Sequence, residues 1–179
     1  MGVTDILCEL IVDSAMISIV EENGHYICHL TEPKSDYKLT LRHLPKDALI
    51  INCDKFPNTG KVFFRGDNME CKRADYALIS ESANIIMFFE LKRSRSTGST
   101  RECVAQLKGA ECVMDYCRII AASFFGSPDI FYGLRRRYYI VHYKTPTKRT
   151  FESQQKEGGH TPEVPRKIGS GFASFDWLM

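Results

Sequence analysis

Asp75, Glu90 and Lys92 are the residues whose types and spacing carry chemistry in this chain of 179 residues. Asp75 opens the run Tyr76-Ala77-Leu78-Ile79-Ser80. A polar break at residues 81–84 follows, and then Ile85-Ile86-Met87-Phe88-Phe89 closes on Glu90-Leu91-Lys92. Both runs have the composition of strands, and the connection is short enough for a hairpin. The second run is apolar on both alternating faces, the pattern of a strand buried between layers. Strand side chains alternate, so Glu90 and Lys92 point to one face. Charges at the end of a buried strand are costly unless paired, solvated or bound to a cation. A hairpin that starts at Asp75 brings a second carboxylate alongside them. Two carboxylates and one ammonium at a sheet end suit a divalent metal and a phosphate.

The elements that must hold these groups are legible on both sides. After Lys92 comes a basic loop containing Arg93, Arg95, Gly98 and Arg101, and Ser99-x-x-Glu102 fits a capping box that starts a helix. Cys103, Leu107, Ala110, Met114, Cys117, Ala121 and Phe124 repeat at alternating spacings of four and three, which predicts one apolar stripe ending near Gly126 and Pro128. Gln106 falls in the second turn of that helix, where the bland reading is an ordinary exposed glutamine. Tyr138 to Tyr143 reads as a further strand.

The first sixty residues are β-rich. Residues 6–13 read as a short helix with Glu9 and Asp13 one turn apart. Residues 16–20 and 25–30 read as a hairpin turning on Asn23-Gly24. Lys38 to Arg42 and Ala48 to Asn52 are two more strands. The tail after Thr150 reads as a loop rich in Gly, Ser, Pro and Gln. Its aromatic end, Phe172 to Met179, offers a docking surface, against the body or for a partner, a second copy of the chain included.

Hydrophobic residues make up 44% and charged residues 26% of the chain, the balance of an ordinary globular domain rather than a disordered one. The length fits a single domain spanning 1–179. No apolar run approaches a membrane span. The start lacks the basic flank of a secretory signal, and Ile6 stands where myristoylation needs Ser or Thr. The seven cysteines form no Cys-x-x-Cys pair, which predicts free thiols in a reducing, cytoplasmic setting. His25-x-x-Cys28-His29 is the one Cys/His cluster; Cys28 points away from the two histidines in a strand, so zinc there needs ligands from elsewhere. Charge is uneven. Residues 1–91 carry 9 basic and 14 acidic groups, whereas residues 92–149 carry 12 and 4. A basic stripe beside a metal site, with Arg135, Arg136, Arg137, Lys144, Lys148 and Arg149 in it, is the footprint of a polyanion binder. For Arg135 to Arg137 a plain solvated surface reads equally well.

Asp75, fourteen intervening residues and Glu90-Leu91-Lys92 resemble the signature of the PD-(D/E)XK nuclease superfamily, the restriction endonuclease-like enzymes. Ala74 stands where the name-giving Pro would be. The order hairpin, Glu-x-Lys strand, helix, strand matches the family core over about 61–144, with an N-terminal extension at 1–60 and a tail at 150–179. The resemblance implies an α/β fold with a restriction endonuclease-like core, a mixed central sheet flanked by helices, and an N-terminal β-rich extension. It implies phosphodiester hydrolysis with Mg²⁺ or Mn²⁺ held by Asp75, Glu90 and the Leu91 carbonyl. Lys92 would position water and balance charge, and Gln106 would orient water or phosphate. Arg73, Arg93, Arg95 and Arg101 would contact nucleic acid, DNA in preference to RNA, and Glu9 would be the counterpart of an additional helical carboxylate. The alternative on the same fold is a catalytically inactive module that binds nucleic acid or a protein.

Overall fold

The computed structural model describes residues 2–32, 38–57, 63–92, 100–127, 129–142 and 158–179. Helix α1 (Val3–Leu10) is followed by strands β1 (Val20–Glu22), β2 (His25–Thr31), β3 (Lys38–Leu44) and β4 (Leu49–Asn52). Next come β5 (Tyr76–Ser80), β6 (Ile85–Lys92), α2 (Thr100–Phe125) and β7 (Arg135–His142). The chain closes with β8 (Arg166–Gly169), β9 (Gly171–Ser174) and α3 (Phe175–Leu178). The architecture is mixed α/β with two mixed sheets: five strands in the order β4-β5-β6-β7-β8, and four in the order β1-β2-β3-β9.

The hairpin that opens the sequence argument is β5 and β6, antiparallel, with Tyr76 opposite Phe89 and Ala77 opposite Phe88. Asn84, at φ 55°, takes the left-handed position of the intervening turn. Beyond β6 the pairing becomes parallel, to β7 and then to β8. β6 is buried from Ile85 through Leu91 because it is the middle strand of the middle layer. Its even-numbered residues Ile86 and Phe88 pack with Leu107, Ala110, Met114 and Cys117 of α2 and Ile6 and Leu7 of α1. Its odd-numbered residues Ile85, Met87, Phe89 and Leu91 pack with Leu30, Leu39 and Leu41 of the second sheet. Burying each such large side chain stabilises by about 1.5–3 kcal/mol, so both faces of β6 tie the layers together.

Several expectations need correction. Helices α1 and α2 lie on one face of the central sheet; the four-stranded sheet, with the short α3, covers the other. The first helix spans Val3–Leu10 rather than residues 6–13. It starts early because the Asp5 carboxylate takes the Gly2 N–H at 3.0 Å and Glu81 takes the Val3 N–H at 2.9 Å, satisfying its first donors. Asp13 falls in a separate 3₁₀ turn. On α2, Phe124 is 77% exposed and Val113 is buried instead. The tail is not all loop. β8 and β9 complete one sheet each, and Phe175 and Leu178 enter the core. Phe172 and Trp177 stay partly exposed with Arg42 and Arg166 over their rings. Cys28 is a core residue, its thiol pushed up to about 12 by burial, and His25 meets His43 instead, so the zinc reading finds no ligand set among the described residues. Among the described residues no helix is long and apolar enough to cross a membrane.

Candidate active site

The site lies where β5 begins and β6 ends. The antiparallel register of Tyr76 with Phe89 continues one step to set Asp75 opposite Glu90. Asp75, Glu90 and Lys92 share parity with Ala77 and Phe88, so all three face α2. Asp75 Oδ2 accepts the Leu91 N–H at 2.6 Å, which locks its carboxylate against the strand end. Lys92 Nζ lies 2.6 Å from Glu90 Oε1 and donates to Gln106 Oε1 at 2.7 Å. Gln106 is therefore part of the cluster rather than an exposed helical residue. Glu90, Lys92 and Gln106 are linked through the Lys92 ammonium, and Asp75 stands beside them on the Leu91 N–H.

Close packing holds α2 in place. The Ala74 N–H donates to the Gln106 carbonyl at 2.7 Å, and a Cβ on Gly109 would lie 1.7 Å from the Lys72 carbonyl oxygen. The strand lead-in to Asp75 thus runs directly along the helix at its one glycine, and that contact sets Gln106 against Lys92.

Burial makes both carboxyls unusually weak acids. It pushes Asp75 up to about 7, against the pull of the Leu91 N–H, with Asp54 and Glu32 adding to the rise. Burial and then the charge of Asp75 push Glu90 up to about 8, against the pull of Lys92. For Lys92, burial works downward, but the charge and hydrogen bond of Glu90 outweigh it and raise the ammonium. Glu90 is 2% exposed, and its Oε2 is buried without a hydrogen-bond partner among the described residues. A buried carboxylate oxygen with no donor costs free energy unless something positive meets it.

These residues fit a divalent cation with oxygen ligands. The buried Oε2 of Glu90 and the carboxylate of Asp75 are hard donors at one strand end. An extended residue presents its N–H and C=O to the same side, so the Leu91 carbonyl opens toward Asp75, where β5 has ended. Among the described residues no group of three His, Cys, Asp or Glu side chains is arranged to hold a metal, so water or substrate oxygens would complete the shell.

The other predicted residues fall differently. Glu9 is exposed on α1, and the outer carboxylates that act on Asp75 are Asp54 and Glu32. Asp54 follows β4, whose next residue Cys53 donates its N–H to the Asp75 carbonyl at 2.8 Å. Only knowledge that β4 pairs with β5 would have revealed it. Arg73 is half-buried with its guanidinium 5.6 Å from the centre of the Phe56 ring. Arg101 is exposed on the first turn of α2. Arg93, Arg95, Lys144, Lys148 and Arg149 lie outside the described residues. Arg136 is committed to Glu111 and Asp115, so that part of the basic stripe holds β7 to α2.

Compared with protein-family models, curated proteins and solved structures, the chain matches none of them, so the arrangement of Asp75, Glu90, Lys92 and Gln106 stands on its own geometry.

Proposed function

We propose that the chain is a divalent-cation-dependent nuclease that hydrolyses phosphodiester bonds, in DNA in preference to RNA, with a restriction endonuclease-like core. The observation that carries this reading is the buried Oε2 of Glu90, unpartnered among the described residues, beside Asp75 and on the carboxylate whose Oε1 lies 2.6 Å from the Lys92 ammonium. Asp75, Glu90 and the Leu91 carbonyl would hold Mg²⁺ or Mn²⁺. When bound, such a cation supplies a water of lowered pKa and offsets charge on the phosphate. Lys92 spends one N–H on Glu90 and one on Gln106, and offers its third to a phosphate oxygen or to the attacking water. Gln106 turns its carbonyl oxygen to Lys92, which directs its two amide N–H donors outward to orient that water or phosphate.

The test is cleavage of plasmid and single-stranded oligonucleotides with Mg²⁺, with Mn²⁺ and with chelator. The wild type should cut only when a cation is present. Glu90→Gln and Lys92→Ala should each lower single-turnover cleavage by about 100-fold or more, the scale for one positioned electrostatic or acid–base group. Absence of cleavage under every condition, or equal rates in wild type and Lys92→Ala, would overturn the reading.

A further inference from the structure

The parallel half of the central sheet brings two more nitrogen donors to the same rim, both from parts of the chain far from the hairpin. β6 and β7 pair with Lys92 beside His142, and β7 and β8 pair with Ile140 beside Lys167. Partners on neighbouring strands present their side chains to one face. Lys92 is on the α2 face, because it reaches Gln106. Tyr138 and Ile140, which share parity with His142, also pack on the α2 side. His142 therefore projects beside Lys92, half-buried. Lys167 projects from the same face of the edge strand and is exposed. Burial raises the thiol of Cys103, in the first turn of α2, and the charges of Lys92 and, less strongly, Lys167 oppose that rise, which sets both cations near the start of the helix. Because β6, β7 and β8 are parallel, Lys92, His142 and Gly169 end three strands at one edge of the sheet. Ligands of parallel strands bind outside their carboxyl ends.

We propose that His142 and Lys167 grip the polynucleotide phosphates next to the one being cut, so that the strand crosses the carboxyl ends of β6, β7 and β8 past the first turn of α2. The inference rests on the nuclease reading and adds to it the direction in which the substrate runs. Three strands at a spacing of about 4.8 Å span roughly 10 Å, room for a neighbouring phosphate beside the scissile one. An imidazole N–H and an ammonium are suited to phosphate oxygens, and neither is a hard oxygen ligand that would draw Mg²⁺ from the carboxylates.

The experiment is fluorescence anisotropy of labelled single-stranded and duplex oligonucleotides over a salt series, in chelator, with cleavage in Mg²⁺ measured in parallel. Lys167→Ala and His142→Leu should both weaken binding, and Lys167→Ala should make the slope of log affinity against log salt shallower, by up to about 0.7 on single strands and about 0.9 on duplex. His142→Gln keeps a donor and should recover affinity relative to His142→Leu. Lys46→Ala, beside the Asp47 that holds Ser80 at the far end of β5, should keep the wild-type slope. Lys167 is exposed, so its variant carries the test even if His142→Leu does not fold. Wild-type affinity and slope in Lys167→Ala and wild-type affinity in folded His142→Leu, from a protein that binds and cuts, would overturn the proposed path alone. A wild type that neither binds nor cuts would overturn the nuclease reading and the path with it.

Discussion

Glu90 carries two opposed demands. Its Oε1 is satisfied by Lys92, its Oε2 by nothing among the described residues, and Asp75 stands opposite. Burial raises Asp75 to about 7, and burial with the charge of Asp75 raises Glu90 to about 8, both far above unfolded carboxyls. Between about pH 4 and the folded values, the unfolded chain has released protons that the folded chain retains. Stability of the metal-free protein is therefore greatest at the acid end of this window and falls as pH rises through it, at about 1.4 kcal/mol per unit of raised pKa. Thermal melts in chelator from pH 5 to 8 should show this decline, and Asp75→Asn, which keeps an acceptor for the Leu91 N–H, should flatten it. Added Mg²⁺ should raise the melting temperature more at pH 8 than at pH 5; a pH-independent melt would refute the coupled carboxylates. Asp75, Glu90 and Lys92 were legible because one hairpin holds all three. Asp54, His142 and Lys167 were not, since each reaches the site through pairing with a strand distant in sequence.

At the scale of elements, the fit of α2 against the lead-in to Asp75 decides whether the group closes. Alanine in place of a helical glycine normally gains about 1 kcal/mol. At Gly109 the new methyl would sit 1.7 Å from the Lys72 carbonyl oxygen, a backbone atom that cannot rotate away. The clash wins over propensity, and residues 72–74 must move off the helix, breaking the Ala74–Gln106 bond. Gly109→Ala should keep its far-ultraviolet helix signal, melt lower, and cleave about 100-fold more slowly, the scale of a misplacement of about 1 Å. Full activity and stability in that variant would show that the contact is slack. The apolar stripe made α2 legible through Ala121, and the left-handed Gly126, at φ 64°, marks its end. The glycine's role was invisible, because its partner is a carbonyl on another segment. The start of α1 was misread for a similar reason: Glu81, which takes its Val3 N–H, lies at the β5–β6 turn.

Across the whole molecule, three layers hold β6 in the middle, and the last strands join both sheets. β8 pairs with β7 in the central sheet, Ser170 donates its N–H to the His142 carbonyl, and β9 pairs with β3 in the other sheet. Arg166 then donates to the Trp177 carbonyl at 3.0 Å, and Tyr139 to that of Leu178, fastening α3 over the seam. The aromatic end reads as able to dock on the body, but the strands were not legible, since β8 and β9 are four residues each in a Gly- and Ser-containing tail. A chain stopped before Arg166 leaves an edge open on both sheets and removes Phe175 and Leu178 from the core. It should lose its sharp thermal transition, bind a hydrophobic dye, and regain a transition when a peptide of residues 158–179 is added. A cooperative melt at the wild-type temperature would refute the clasp. The order of synthesis gives that clasp a further meaning. On the ribosome the residues of the hairpin emerge long before β8 and β9, so a nascent chain exposes its strands to chaperones until the clasp forms. Premature termination within the last segment should then yield products cleared by proteolysis rather than stray active fragments.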